Sequence, residues 1–239
     1  MSRAIGKTTC PRCRERGADS RGDNLVLYDD GGAHCFACGH HVHAKGFSPK
    51  VERTTEHGSS LLPPDFSREV PADAWKWLLQ YGLPLSYWRP FVGWSEKSSR
   101  LVFTVGDPAV FSIGRLIKRE STRDDRKWYV WGDSHKTGVA IGEQGPATVF
   151  VEDIVSAHKV GRVTQAVALF GTTPYPAHLR LAKCLGNPIV LWLDKDQQGS
   201  TLKKANQISM LTGLSCRVVH TDKDPKELDL QTVKEILNR

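Results

Sequence analysis

From residue 147 onward the chain alternates short apolar runs with longer amphipathic stretches, and this pattern narrows its fold further than any other feature. TVFVE, AVALFG, PIVLWLD and CRVVHT read as strands, while IVSAHKVGR, AHLRLAKCLG, STLKKANQISMLTG and LQTVKEILNR read as helices. Parallel strands need helix-length crossovers, and those helices bury both faces of the sheet, so the strands lose polar alternation. The expected class is α/β, with a parallel sheet flanked by helices over residues 147–239.

Acidic residues stand where these strands end. Glu152 and Asp153 follow VFV, Asp194 and Asp196 follow IVLWL, and Asp222 and Asp224 follow VVHT. The carboxyl ends of neighbouring strands in an open α/β sheet share one crevice, where ligands bind. Carboxylates converging there repel one another unless cations neutralise them, and their hard oxygens suit Mg²⁺. A single acid after a strand is ordinarily a helix cap or turn residue. Three such positions in one sheet favour a shared site. Asp194 and Asp196 stand at i and i+2, so an extended segment would send both to the same side.

Residues 65–146 have a different rhythm. DAWKWLLQYG predicts a short helix closed by Gly82 and Pro84. RLVFTV, AVFSIGRLIK and KWYVW then follow as strands without intervening helices, which predicts an antiparallel sheet. The polar stretch before it, residues 46–64, ends in two prolines and reads as a linker.

Residues 1–45 have few large aliphatics and cannot bury enough apolar surface to fold without a staple. Cys10-Pro-Arg-Cys13 and Cys35-Phe-Ala-Cys38 supply one, since two CxxC turns complete a tetrahedral zinc site. LVLYDDGGAHCFAC predicts a hairpin leading into the second pair. His34, His40, His41 and His43 are competing donors that four paired cysteines make unnecessary. Arg12, Arg14, Arg16 and Arg21, with Tyr28 and Phe36, offer the mixture of cations and exposed aromatics that holds single-stranded bases. Cys184 and Cys216 lie in apolar stretches and are expected to be small buried residues.

The formal net charge of +7 is compatible with a polyanionic partner and does not by itself establish one. There is no apolar run approaching the roughly 20 residues of a membrane span, and MSRAIGKTTC has no apolar segment behind its charges. The expectation is a soluble protein of the cytoplasm, the host's cytoplasm if the chain is phage-encoded, without membrane contact.

VFVED, LFGTTP, LWLDKDQQG and TDKDPKEL, in this order and spacing, resemble the TOPRIM domain. That fold is shared by bacterial and phage primases, several topoisomerases and some nucleases. With a Cys₄ zinc ribbon in front, the whole is similar to phage DNA primases, in particular the primase half of phage primase–helicases. The stretch from SIGRLIKRE through RKWYVWGDSHKTGVAIG resembles the basic subdomain that those primases place before TOPRIM. The implied domains are a zinc ribbon at 1–45, a linker at 46–64, a basic subdomain at 65–146 and TOPRIM at 147–239.

The resemblance implies synthesis of short RNA primers on single-stranded DNA from ribonucleoside triphosphates during replication. It assigns Glu152 as metal ligand or base, Asp194 and Asp196 as the DxD ligands of Mg²⁺, and Asp224 with Pro225 as the later DP element. Asp222 is a weaker candidate. Arg115, Arg119, Lys127 and Lys136 fall in the basic subdomain as template or nucleotide contacts, beside Arg12 and Arg14 of the ribbon. Two departures from the TOPRIM primases stand out: Asp153 replaces a glycine after the glutamate, and Ser156 replaces a later acid. The absence of GxxxxGK[ST] implies that unwinding comes from a separate helicase, and the resemblance implies a DNA polymerase as a further partner. Recombination mediators of the RecR type, which bind DNA without catalysis, and TOPRIM nucleases are the alternatives.

Overall fold

The computed structural model describes residues 4–19, 22–42, 60–117 and 126–238, the last with backbone only at 198–200. Contacts divide the chain into two compact units, Met1–Gly58 and Ser59–Arg239.

The first unit contains β1 (Ala4–Thr8), α1 (Pro11–Glu15), β2 (Leu25–Tyr28), β3 (Ala33–Cys35) and β4 (His41–Val42). Its strands form one antiparallel sheet in that order. The expected hairpin is β2–β3, closed where Tyr28 N–H donates to Gly32 O at 2.9 Å and Gly31 takes φ +81°. The buried cluster is Cys10, Cys13, Leu25, Ala33 and Cys35, with Leu27 and Cys38 against it. Among the described residues, thiols are therefore most of this unit's core.

In the second unit α2 (Ala72–Leu79) and α3 (Leu85–Trp88) precede four strands: β5 (Val92–Ser95), β6 (Arg100–Val105), β7 (Phe111–Leu116) and β8 (Trp128–Gly132). These pair as an antiparallel meander, as expected, with β5 as a strand that the sequence pattern did not reveal. Residues 60–64, read as the end of a linker, pack on this sheet: Pro63 is buried and Leu61 O accepts from Ser112 Oγ at 2.6 Å. Residues 46–59 lie outside the described residues.

There follow β9 (Ala140–Ile141), β10 (Thr148–Val151), α4 (Ile154–Val160), β11 (Ala166–Ala168), α5 (Pro176–Leu185), β12 (Ile189–Leu191), α6 (Gln198–Thr212), β13 (Cys216–Val218) and α7 (Leu230–Leu237). The sheet order is β13–β12–β10–β11–β9. Its first four strands are parallel, but β9 joins antiparallel beside β11, so the sheet is mixed. Two residues of strand gave no periodicity to read. Gly142, at φ +91°, closes β9 against the end of α4, where a Cβ would collide with the Gly161 carbonyl oxygen.

Successive side chains of these strands point to opposite faces, and the core divides accordingly. Val149, Val151, Ala166, Ala168, Val190 and Trp192 join a cluster that includes α4 and the antiparallel sheet. Phe150, Val167, Leu169, Ile189 and Leu191 face the other way, against Ala182, Ala205 and Ile208 of α5 and α6. One continuous core therefore holds the antiparallel sheet to one face of the parallel one. Cys184 is exposed on α5, contrary to expectation, because that helix presents it away from the sheet; Cys216 is half-buried, and burial pushes its thiol up to about 11. None of the helices among the described residues is long and apolar enough to cross a membrane.

Candidate functional site

Glu152 follows β10, Asp194 lies just past β12, and Asp224 lies on the segment after β13. The order β13–β12–β10 makes these neighbouring strands, so three carboxylates meet at one sheet edge. Asp194 N–H donates to Glu152 Oε1 at 3.0 Å, which ties the two strand ends together. Trp192 Nε1 donates to Thr221 Oγ1 at 2.8 Å, holding the segment that carries Asp224 beside β12.

Asp153 caps α4, accepting from Val155 N–H at 2.8 Å and from Ser156 N–H and Oγ at 3.0 Å. The two departures noted in the sequence are thus partners: the serine's hydroxyl serves the aspartate that replaces glycine. Asp224 begins a 3-10 turn, Pro225–Glu227, in which Glu227 N–H donates to Asp224 O at 2.9 Å and Asp224 N–H donates to Glu227 Oε2 at 3.3 Å. Lys226, on that turn, reaches Asp224 Oδ2 at 2.8 Å, Asp153 Oδ2 at 2.9 Å and Asp194 Oδ2 at 3.6 Å. Nothing in its sequence position singled out this lysine beyond its place in DPKEL.

Burial lifts the Asp194 carboxyl most. Lys226 pulls it back, and Asp153, Asp224 and Glu152 add to the rise, which ends at about 7. Burial also raises Glu152, with the charges of Asp196, Asp153 and Asp224 adding to it against the hydrogen bond from Asp194. For Lys226 burial favours the neutral amine, but the charge of Asp153 and the hydrogen bonds to Asp224 and Asp153 outweigh it and keep the ammonium protonated. The edge is thus overloaded with negative charge that one ammonium does not balance. Asp194 Oδ1 is buried and has no hydrogen-bond partner among the described residues. A hard cation fits there: it would satisfy that oxygen and offset the charge of Glu152 beside it.

The acidic edge forms one side of a cavity of about 420 Å³. Glu152, Asp153, Asp194 and Lys226 line it beyond the ends of the parallel strands; Trp77 of α2, Tyr81 just after it, Arg115 of β7, Lys127 just before β8 and Trp128 of β8 line it from the other side. The Arg115 guanidinium lies 5.2 Å from the Trp77 ring and 5.5 Å from the Trp128 ring. Such cation–π contacts fix the plane of the guanidinium. Phe170, from the LFGTTP motif, also lines the cavity, with a left-handed φ of +54° and its ring 5.4 Å from Phe111. For a bulky side chain that backbone costs about 1–3 kcal/mol, and such strain collects at functional sites. A larger cavity, about 570 Å³, opens at Tyr87, Phe91, Glu143 and Arg162, but none of the acidic-edge residues lines it. Chemistry rather than size selects the smaller one.

Other expected site residues do not line the cavity. Asp196 is exposed on a 3-10 turn, Lys195–Gln197, although its charge leads those that raise Glu152. The alternation argument for Asp194 and Asp196 fails because the chain turns there, with Gln197 N–H donating to Asp194 O at 3.0 Å. Asp222 is 99% exposed and pairs with Lys195 at 3.7 Å. Lys136 is 84% exposed, pairs with Asp133 at 3.0 Å and stays off the cavity. Arg119 lies outside the described residues.

In the first unit the sulfurs of Cys10, Cys13, Cys35 and Cys38 all lie within 4.8 Å of one another, and none is in a disulfide. Tetrahedral zinc at about 2.3 Å from each sulfur would separate them by about 3.8 Å. The Cys10–Cys38 and Cys13–Cys35 separations are 3.5 and 3.6 Å, so the set fits that ion. Burial disfavours the Cys35 thiolate, but N–H groups of Cys38 and Ala37 reverse it and bring the thiol down to about 7. Asp19 braces the first turn, accepting from Cys10 N–H at 2.7 Å. None of the histidines joins the four-sulfur group among the described residues; Arg21 and His43 lie outside them. Arg12, Arg14 and Arg16 are exposed, Phe36 is 71% exposed against the His34 ring, and Tyr28 is half-buried rather than exposed.

A family model described as Toprim-like matches residues 151–229. None of the curated proteins or solved structures compared with the chain matches it. The matched segment begins at the last residue of β10 and takes in Glu152, Asp194, Asp224 and Lys226. The chain therefore contains a Toprim-like domain, of a kind found in primases, nucleases and RecR-type proteins.

Proposed function

We propose that this chain is a DNA primase, a nucleotidyltransferase that joins ribonucleoside triphosphates on single-stranded DNA. The observation that carries the reading is the cavity with carboxylates on one side and an aromatic-braced arginine and lysine on the other. The unpartnered carboxylate oxygen of Asp194 at the end of the sheet supports a cation-dependent chemistry there. A nucleoside triphosphate matches both sides: polyphosphate for Arg115 and Lys127, and phosphate charge that a cation held by Glu152 and Asp194 would offset.

In this reading Glu152 and Asp194 hold Mg²⁺, with Asp196 and Asp224 on the acidic rim. When bound, the ion lowers the pKa of the attacking 3′-hydroxyl and offsets phosphate charge. Arg115, its plane fixed by Trp77 and Trp128, orients the phosphates through paired N–H groups, and Lys127 adds a second cation. The hydroxyl oxygen forms a bond to the α-phosphorus as the bond to pyrophosphate breaks, and the hydroxyl proton leaves to the carboxylate edge or to water. Positioning and electrostatics supply the acceleration. The cysteine unit, loaded with zinc, presents Arg12, Arg14 and Phe36 to the template. Single-stranded DNA, ribonucleoside triphosphates, a separate replicative helicase and a DNA polymerase are the partners, and the cytoplasm is the place of work.

The test is incorporation of labelled ribonucleotides on bare single-stranded DNA with Mg²⁺. New RNA of a few nucleotides is expected. Cleavage of the DNA without synthesis would make the protein a nuclease, and tight DNA binding with neither activity would make it a mediator of the RecR type.

A further inference from the structure

The proposed chemistry leaves Lys226 without a role, although it sits among the carboxylates that chemistry needs. Its side chain is 16% exposed and its ammonium meets three carboxylates from three separate segments: the cap of α4, the end of β12 and the turn after β13. The edge is divided by what its oxygens already hold. Asp153 accepts from Val155 N–H, Ser156 N–H and Ser156 Oγ as well as from Lys226, which fills its acceptor positions. Asp224 Oδ2 accepts from Lys226, while the Asp224 backbone carbonyl accepts from Glu227 N–H of its own turn. On the other side, Asp194 Oδ1 is buried with no partner among the described residues, and Glu152 Oε1 accepts from the Asp194 backbone.

We propose that Lys226 is a resident cation that takes the place of a second metal ion, so that the acidic edge binds one divalent cation, at Glu152 and Asp194. Resting on the primase reading, the proposal makes Lys226 a positioning residue, and Asp224 acts through it rather than on metal. Two divalent cations a few ångströms apart need carboxylates to bridge or surround both. Here Asp153 has its acceptor positions filled, and Asp224 is already paired with the ammonium that lies between it and Asp153. An ammonium carries one charge where a divalent ion carries two, and its covalent tether keeps it from dissociating. The site thus keeps its carboxylates assembled in the absence of metal and admits one ion.

The experiment counts Mn²⁺ bound to the zinc-loaded full chain by calorimetry and by electron paramagnetic resonance. It compares the unaltered chain with Lys226→Met, which keeps the stem length, and Asp224→Asn, which keeps the shape. One Mn²⁺ with an isolated-ion spectrum is expected for the unaltered chain. Lys226→Met should bind two, with the line broadening of a coupled pair, and without added Mn²⁺ should melt at lower temperature until Mn²⁺ restores it. Asp224→Asn should still bind one, within about threefold of the original affinity. Two Mn²⁺ in the unaltered chain, an unchanged count in folded Lys226→Met, or loss of binding in Asp224→Asn would each overturn the proposal. If Lys226→Met does not fold, the other two measurements still decide it. A chain that binds one Mn²⁺ but makes no RNA sinks the primase reading and leaves this one standing; RNA synthesis with two bound ions does the reverse.

Discussion

A carboxylate oxygen buried without a donor costs free energy that a bound cation removes, and Asp194 Oδ1 is in that position. Asp194→Asn keeps the shape and removes the charge. Dinucleotide synthesis at saturating Mg²⁺ should fall about 10²- to 10³-fold, the usual effect of losing a transition-state charge contact. Binding of single-stranded DNA at fixed salt should stay the same or tighten slightly, since local repulsion falls. Asp196→Asn, at an exposed turn outside the cavity, should cost less than tenfold by the same assay. Equal losses at the two positions would place Asp196 on the metal after all. The contrast shows what sequence could and could not supply at this scale. Position at a strand end identified Glu152, Asp194 and Asp224, because sheet topology alone brings strand ends together. The direction of Asp196 depended on a turn of three residues, and the central place of Lys226 on a capped 3-10 turn; neither leaves a periodic trace.

Helix α4 carries the Asp153 cap at one end and a buried imidazole at the other. His158 packs against Tyr87, Trp88 and Phe91, with Tyr87 Oη 2.9 Å from its Nδ1, and burial drops its pKa to about 3. The nearby charged groups are Lys159, on the same helix, and Arg162, over the Tyr87 ring. In the unfolded chain the imidazole titrates near its ordinary 6.5. Because the folded value is the lower one, the unfolded state binds the extra proton. The stability that the neutral ring supports is present above pH of about 6.5 and is lost as pH falls toward about 3, by roughly 2 kcal/mol at pH 5. Asp194 works in the opposite sense, since its folded value is raised and its stabilisation fades as pH rises toward about 7. Denaturant unfolding at pH 7 and pH 5 should therefore compare the chain with His158→Gln. The variant should lose less stability than the parent over that interval, and identical losses would show that His158 is not held neutral. The apolar run IVSAHKV made this helix legible; its burial on every side, including His158 and Lys159, was not, because the polar residues are inside. The two-residue strand β9 and the packed segment 60–64 escaped for a related reason: each owes its place to a neighbour in space and not to its own composition.

At the scale of the molecule the chain is two units with different sources of stability. The second has a continuous apolar core that spans two sheets, while the first has a cluster in which cysteines outnumber aliphatics. Cys35→Ser should release zinc and unfold the first unit, since metal binding supplies the folding free energy of such modules. Thermal melting of the second unit should be unchanged, and full zinc retention would overturn the ligand set. The same asymmetry allows a sharper dissection. The groups proposed for polymerisation lie after residue 60, and residues 60–64 belong to the second unit, so a cut after Gly58 respects both. A cut at residue 64 would remove the Leu61 carbonyl that Ser112 donates to and the buried Pro63, and would lower stability for reasons unrelated to function. The chain lacking residues 1–58 should extend an annealed primer with ribonucleotides in Mg²⁺, because the cavity is intact. It should no longer start RNA at defined template positions, because the arginines and Phe36 proposed to hold the template are gone. Primer extension and initiation on the same single-stranded template, run side by side, measure the two functions separately. Loss of extension would place a catalytic group in the cysteine unit. Unaltered start sites would mean that the second unit reads the template by itself, leaving the first unit a role other than template reading.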